Sequence, residues 1–148
     1  MKKVLIISHL PISKATNVGK TLFNLFNGYP HEDTCQIFFT NQGLQNNDIS
    51  KYYIGDRDIL STLTKRSKTC GKSLDFMVQA ADPSKGTLFR NRINLRSPFA
   101  LLARDICWSM SGYYSKGLKM WLDDMKPDVI FLAPGYSIFA YKMGVKIA

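Results

Sequence analysis

The chain has 148 residues, enough for one domain with a core of its own, and 45% of them are hydrophobic, which excludes disorder and collagen-like repetition. Its net charge of +9 favours anionic partners such as nucleic acid, phosphorylated ligands or an acidic membrane surface. Three widely spaced cysteines, Cys35, Cys70 and Cys107, with no CxxC, fit neither a disulfide framework nor a zinc site and suit a reducing cytosol.

Lys3-Val-Leu-Ile-Ile-Ser8 is a continuous β-branched run, the pattern of a strand buried on both faces in a parallel sheet. Its apolar part, Val4 to Ile7, is too short for a signal peptide or a membrane span. A polar loop, His9 to Asn17, leads to a helix opening at Gly19, with Leu22, Phe23 and Phe26 at helical spacing. Gly28, Tyr29 and Pro30 stop that helix. Cys35 to Thr40 and Tyr52 to Ile54 are the next strands, separated by a polar turn region from Asn41 to Ser50. Gly55-Asp-Arg-Asp58 then leads into a helix near Ile59.

From Lys65 to Arg96, Lys65, Arg66, Lys68, Lys72, Lys85, Arg90, Arg92 and Arg96 face only Asp75 and Asp82. A solvated loop with a short helix over Leu74 to Ala81 is one reading of this stretch; a surface for anions is the other. Ser97 as N-cap and Pro98 at the first helical position predict a helix ending at Met125-Lys126, before Pro127. Its stripe of Phe99, Leu102, Ile106, Tyr113, Leu118, Trp121 and Leu122 calls for a core to cover it, with Gly112 as a place for a break. Asp128 to Pro134 is a strand, and a closing helix starts at Ser137. Alternating strands and helices define the fold class: α/β, Rossmann-like and doubly wound, with a mainly parallel sheet and helices on both faces. Tyr141 to Ala148 reads as helix interior, so residues 1–148 are expected to be a fragment.

In such sheets ligands bind outside the carboxyl ends of the strands. Two loops leave those ends here, Ser8 to Lys20 and Ala133 to Tyr136. Gly19 near a helix N-terminus lets a backbone approach a ligand, the free amides favour phosphate, and Lys20 adds charge; a merely tight turn is the structural alternative. Asn17-Val-Gly-Lys-Thr21 matches the second half of a P-loop, but Lys14 stands where the first glycine belongs, and no guanine-reading motif follows. Asp56-Arg-Asp58 matches a metal-holding D-x-D, although helix capping explains it more cheaply. His9 falls within the ligand zone as a general base or hydrogen-bond donor, whereas His31 sits in a polar turn. Asp123, Asp124 and Asp128 lie at the opposite end of the sheet, and Trp108 and Trp121 read as core. No metal cluster is expected.

Lys2 to Pro11 with the loop opening a helix at Gly19 resembles the start of GT-B glycosyltransferases, most closely the family-4-like enzymes that build bacterial polysaccharides. Trp121 to Gly135 resembles their helix–KPD–strand–Gly segment. This resemblance implies an N-terminal, acceptor-side domain spanning residues 1–148, with the donor-binding C-terminal domain absent. Gly19, with Asn17 and Lys20 beside it, would match the turn near the donor diphosphate, here with one glycine instead of a pair. Gly135 and Tyr136 would line the acceptor side. The implied reaction moves a sugar from a nucleotide sugar to a saccharide or lipid-linked acceptor, without a metal or other cofactor. Implied too are contact with the missing domain, a cytoplasmic location, docking on the inner membrane face through the basic stretch with Leu88, Phe89 and Phe99, no nucleic acid, and silence of the fragment alone. A P-loop-like nucleotide-binding protein and a non-catalytic Rossmann-like module are the alternatives.

Overall fold

A computed structural model of the chain describes residues 1–44, 48–65, 70–74 and 98–148. The expected Ser97 cap, the 75–81 part of the helix predicted over Leu74 to Ala81, and most of the basic stretch lie outside them. Five strands form one sheet in the order β4-β3-β2-β1-β5. These are β1 (Val4–Ser8), β2 (Thr34–Phe38), β3 (Ser50–Tyr53), β4 (Lys72–Leu74) and β5 (Val129–Ala133). β1 pairs in parallel with β2 on one side and β5 on the other, and β2 pairs in parallel with β3. The predicted α/β, Rossmann-like architecture is therefore the one observed. An antiparallel edge strand, β4, is added to it; it follows Gly71, whose φ of +75° reverses the chain.

Three of the helices begin where a side chain takes an orphan amide. α1 (Asn17–Leu25) starts two residues before Gly19 because Thr16 is the cap, its Oγ1 accepting from the Gly19 amide at 3.1 Å. α2 (Asp56–Lys65) starts at Asp56, three residues ahead of the expected Ile59, with Asp58 Oδ2 accepting from the Gly55 amide at 2.8 Å. The long helix expected up to Met125 is two helices, α3 (Pro98–Met110) and α4 (Lys116–Met125). The interruption, residues 111–115, contains Gly112, where a break was expected, and Ser115 caps α4 by accepting from the Leu118 amide at 3.3 Å. α5 (Ile138–Ile147) closes the chain behind β5.

Two cores of unequal size cover the sheet. On one face, Leu22 of α1 packs with Val4, Ile6 and Ile12, and Phe26 meets Phe131 edge-on at 5.3 Å. On the other, α2 to α5 bring Ile59, Trp108, Leu118, Trp121 and Phe139 against Leu5, Ile7, Ile37 and Phe39. Trp108 and Phe139 stack there with centroids 3.9 Å apart. The expected apolar stripe divides. Tyr113, Leu118, Trp121 and Leu122 are buried, but Phe99, Leu102 and Ile106 face outward. Periodicity marks an apolar side of a helix without saying which way it turns, and in α3 the inward position belongs to Trp108.

α4 ends at Lys126 in the left-handed region, φ 47°, where the amide still reaches the Leu122 carbonyl at 2.8 Å. Lys126 is exposed, and a Cβ in that conformation costs energy that glycine avoids. Lys126→Gly is expected to raise unfolding free energy by about 0.5–1 kcal/mol, read by urea denaturation. An unchanged or lower midpoint would refute it.

Candidate functional site

The chain leaves β1 for β2 on one side, while β5 lies on β1's other side. The carboxyl ends of β1 and β5 thus flank a topological switch point, where open sheets of this kind hold ligands. The loops bordering it are residues 9–16 after β1 and 134–137 after β5. Residues 39–44 and Ile54-Gly55 border the neighbouring strand ends.

A buried amide in β2 shapes the first loop. Gln36 Nε2 donates to Ser8 Oγ at 2.7 Å and to the Leu10 carbonyl at 3.2 Å, while its Oε1 accepts from the Ile12 amide at 3.0 Å. From there the loop folds onto the first turn of α1. The Ser13 amide donates to the Gly19 carbonyl at 3.4 Å. A Cβ on Gly19 would stand 2.6 Å from Thr16 Oγ1 and 2.8 Å from the Ser13 carbonyl. The close approach that Gly19 permits is therefore that of its own loop, and its amide is occupied by Thr16. Asn17 and Lys20 are exposed beside it. This wrapping also leaves no open backbone cradle of the P-loop kind at Gly19.

On the opposite face of the sheet, a polar cluster sits above the aromatic core. The His9 carbonyl accepts from the Thr40 amide at 3.0 Å, and His9 Nε2 lies 3.2 Å from Thr40 Oγ1. Its Nδ1 is buried and has no partner among the described residues. Asp56 does not serve as the cap of α2. Its Oδ1 accepts from Arg104 Nε at 2.9 Å and from Trp108 Nε1 at 2.8 Å. The Arg104 guanidinium also lies 5.1 Å from the centre of the Phe139 ring. Asp58 takes the helix-start role, so the two carboxylates of the D-x-D are separately engaged. Among the described residues no group of His, Cys, Asp or Glu is arranged to hold a metal.

Burial, reinforced by the Arg104 charge and opposed by Asp56, holds the His9 imidazole below its ordinary value of 6.5. It is neutral at physiological pH and able to accept a proton. Cys35 and Cys70 behave in the opposite sense: burial pushes both thiols up to about 12, so neither is a nucleophile. Gly135 adopts φ 63° just beyond β5, with open space around it, and Tyr136 is 97% exposed. His9, Gly135 and Tyr136 thus occupy neighbouring strand ends, while Asn17, Gly19 and Lys20 stand on the α1 side of the same edge.

Sequence reasoning missed Gln36, Thr40 and Arg104. Arg104 did leave a signal: a cation four residues before Trp108, on the same side of the mostly apolar α3. At the far end of the sheet, Asp128 Oδ2 accepts from the Lys3 amide at 2.7 Å, which ties β5 to the chain start. No family model, curated protein or solved structure matches the chain.

Two outcomes follow. Gln36→Leu removes the three bonds that Gln36 makes at the start of the loop and is expected to cost about 2–3 kcal/mol in denaturant unfolding; a change below about 0.5 kcal/mol would mean that the loop holds itself. For His9, the folded value lies below the unfolded one, so its contribution is full above about 6.5 and is lost as pH falls through the lower folded value. The wild-type midpoint is expected to drop more steeply than that of His9→Gln between about pH 7 and about pH 5. Parallel profiles would show that His9 is not held neutral by the fold.

Proposed function

We propose that this domain is the acceptor-side half of a glycosyltransferase, acting with a donor-binding domain on a nucleotide sugar and a saccharide or lipid-linked acceptor. One observation carries this reading: at the switch-point edge, a neutral His9 is placed beside the Asp56–Arg104 pair, next to the loop that carries exposed Tyr136. A neutral imidazole can take the proton of an attacking hydroxyl. Carboxylate and guanidinium groups supply the acceptors and donors that hydroxyl-rich ligands need, and an aromatic ring offers an apolar platform for a sugar face. The resemblance of Lys2 to Pro11 and of Trp121 to Gly135 to GT-B enzymes supports the same reading. Gly19 now supports it less, because its own loop fills the approach to it. In this reading the leaving diphosphate is held mainly by the other domain, with Lys20 and Asn17 contributing at the rim.

The test is release of nucleoside diphosphate across a panel of nucleotide sugars. Residues 1–148 alone are expected to be silent, and the same residues joined to a donor-binding domain active. In the active protein, His9→Ala lowers kcat by about 10²–10⁴ if the imidazole is the base. Tyr136→Ala instead raises KM for the acceptor. Turnover by residues 1–148 alone, or silence of the joined protein with every donor, would sink the reading.

A further inference from the structure

The two edges of the sheet differ in kind. β4 closes one of them with three residues in antiparallel pairing, and its Lys72 and Ser73 are exposed. A short, charged edge of this sort resists the addition of another strand. At the other edge β5 runs for five residues, Val-Ile-Phe-Leu-Ala, with no charge, proline or glycine among them. It pairs in parallel with β1, and among the described residues no strand takes its outer row of backbone N–H and C=O groups. The side chains of β5 are open on both faces as well. Val129, beside Val4 on the α1 face, is 42% exposed. Leu132 is 38% exposed even though it lies against Gly144 of α5.

α5 continues this surface. One side of it faces α3, where Phe139 stacks on Trp108 and Lys142 Nζ reaches Ser109 Oγ at 3.5 Å. Trp108 also meets Phe39 at the end of β2, so α3 lies on the side of α5 away from the open edge. Ala140, Met143 and Gly144 face the sheet. Helical spacing leaves Ile138, Tyr141 and Val145 on the side turned from α3, toward the open edge; all three are exposed, Val145 by 78%.

The backbone selects the occupant. Lipid offers no partners to a row of N–H and C=O groups, whereas a strand does. A second copy of the chain supplies one: a twofold axis sets β5 antiparallel against β5, with α5 beside α5. No like charges meet there, because β5 is uncharged and both lysines of α5 are turned away, Lys142 to Ser109 and Lys146 to the Tyr114 ring at 4.9 Å. The blunt β4 edge bars head-to-tail growth, so pairing stops at two copies.

We infer that two copies of the chain pair through the free edge of β5, joining their sheets into one and covering Val129, Leu132, Ile138, Tyr141 and Val145. Such pairing needs no sugar nucleotide and is independent of the glycosyltransferase reading. The test is sedimentation velocity of residues 1–148 under reducing conditions, from low to high micromolar concentration. A reversible monomer–dimer equilibrium is expected. Val129→Lys and Val145→Lys, each at an exposed position, are expected to raise the dimer dissociation constant at least about tenfold, because every substitution enters the symmetric interface twice. At concentrations where all three proteins are monomeric, their Tm values are expected to agree. Amide hydrogen exchange in β5 slows with rising concentration in the wild type, and less so in the variants. Four results would overturn the inference. One is a wild type that stays monomeric throughout, and another is a dimer that neither variant weakens or that leaves exchange in β5 unchanged, which places the contact elsewhere. The third is open-ended polymers, meaning that β4 accepts β5. The last is a Tm several degrees lower in both variants, meaning that the chain itself covers this surface.

Discussion

Gln36 is the residue on which the ligand edge depends. It is fully buried in the middle of a sheet whose other buried positions are mostly apolar, Ser8, Thr34 and Lys51 excepted. A carboxamide in that setting is tolerated only when its donors and acceptor are used, and the loop after β1 uses them. The consequence reaches both faces. With Leu10 and Ile12 held over β2, Ser13 and Thr16 close on Gly19, and Thr16 packs toward Gly43 from the next loop. The same turn directs His9 to the opposite face, where its carbonyl accepts the amides of Phe39 and Thr40. One satisfied amide thereby decides which loop groups are spent on structure and which remain at the edge.

The inequality of the two cores decides what remains. α1 covers its face with modest aliphatic and aromatic contacts. The other face is filled by rings, with Trp108 between Phe139, Phe39 and Tyr113. An indole buried at that position still needs an acceptor for its Nε1 hydrogen, and Asp56 provides it. The carboxylate in turn orients Arg104. The cation at the ligand edge is therefore a product of core packing, and its orientation is fixed by the same carboxylate that satisfies the tryptophan.

Much of this was legible in the sequence, for local reasons. β1 and β5 are dense β-branched or aromatic runs, and Pro127 and Gly28 mark real boundaries. β4 was not legible, because Lys72-Ser-Leu74 has no strand-forming bias and exists only by pairing with β3. The division of α3 from α4 was legible at Gly112, but where α4 starts depended on Ser115 finding the Leu118 amide. The outward turn of Phe99, Leu102 and Ile106 was hidden for a different reason. Burying Trp108 and its Asp56 bond gains more than burying the smaller side chains, and a helix has only one inward side. His9 could be placed at a strand end from β1 alone. Its companions Thr40, Asp56 and Arg104 come from distant positions brought together only by the parallel order β3-β2-β1.

The geometry also divides the labour of the proposed reaction. A transferred sugar needs two kinds of support: charge stabilisation for the departing diphosphate, and a base with hydroxyl-binding groups for the acceptor. On the α1 side the Gly19 amide is occupied by Thr16 and its approach is filled by Ser13, so the first turn of α1 has little to offer a diphosphate beyond Lys20 and the exposed end of the helix. On the opposite side the ingredients are those of hydroxyl chemistry: a neutral imidazole, a paired carboxylate and guanidinium, and an exposed aromatic on the adjoining loop. The two faces thus differ in kind as well as in strength. In the glycosyltransferase reading this edge serves the acceptor, and the dipoles and cations for the leaving group belong to the domain that would close over it.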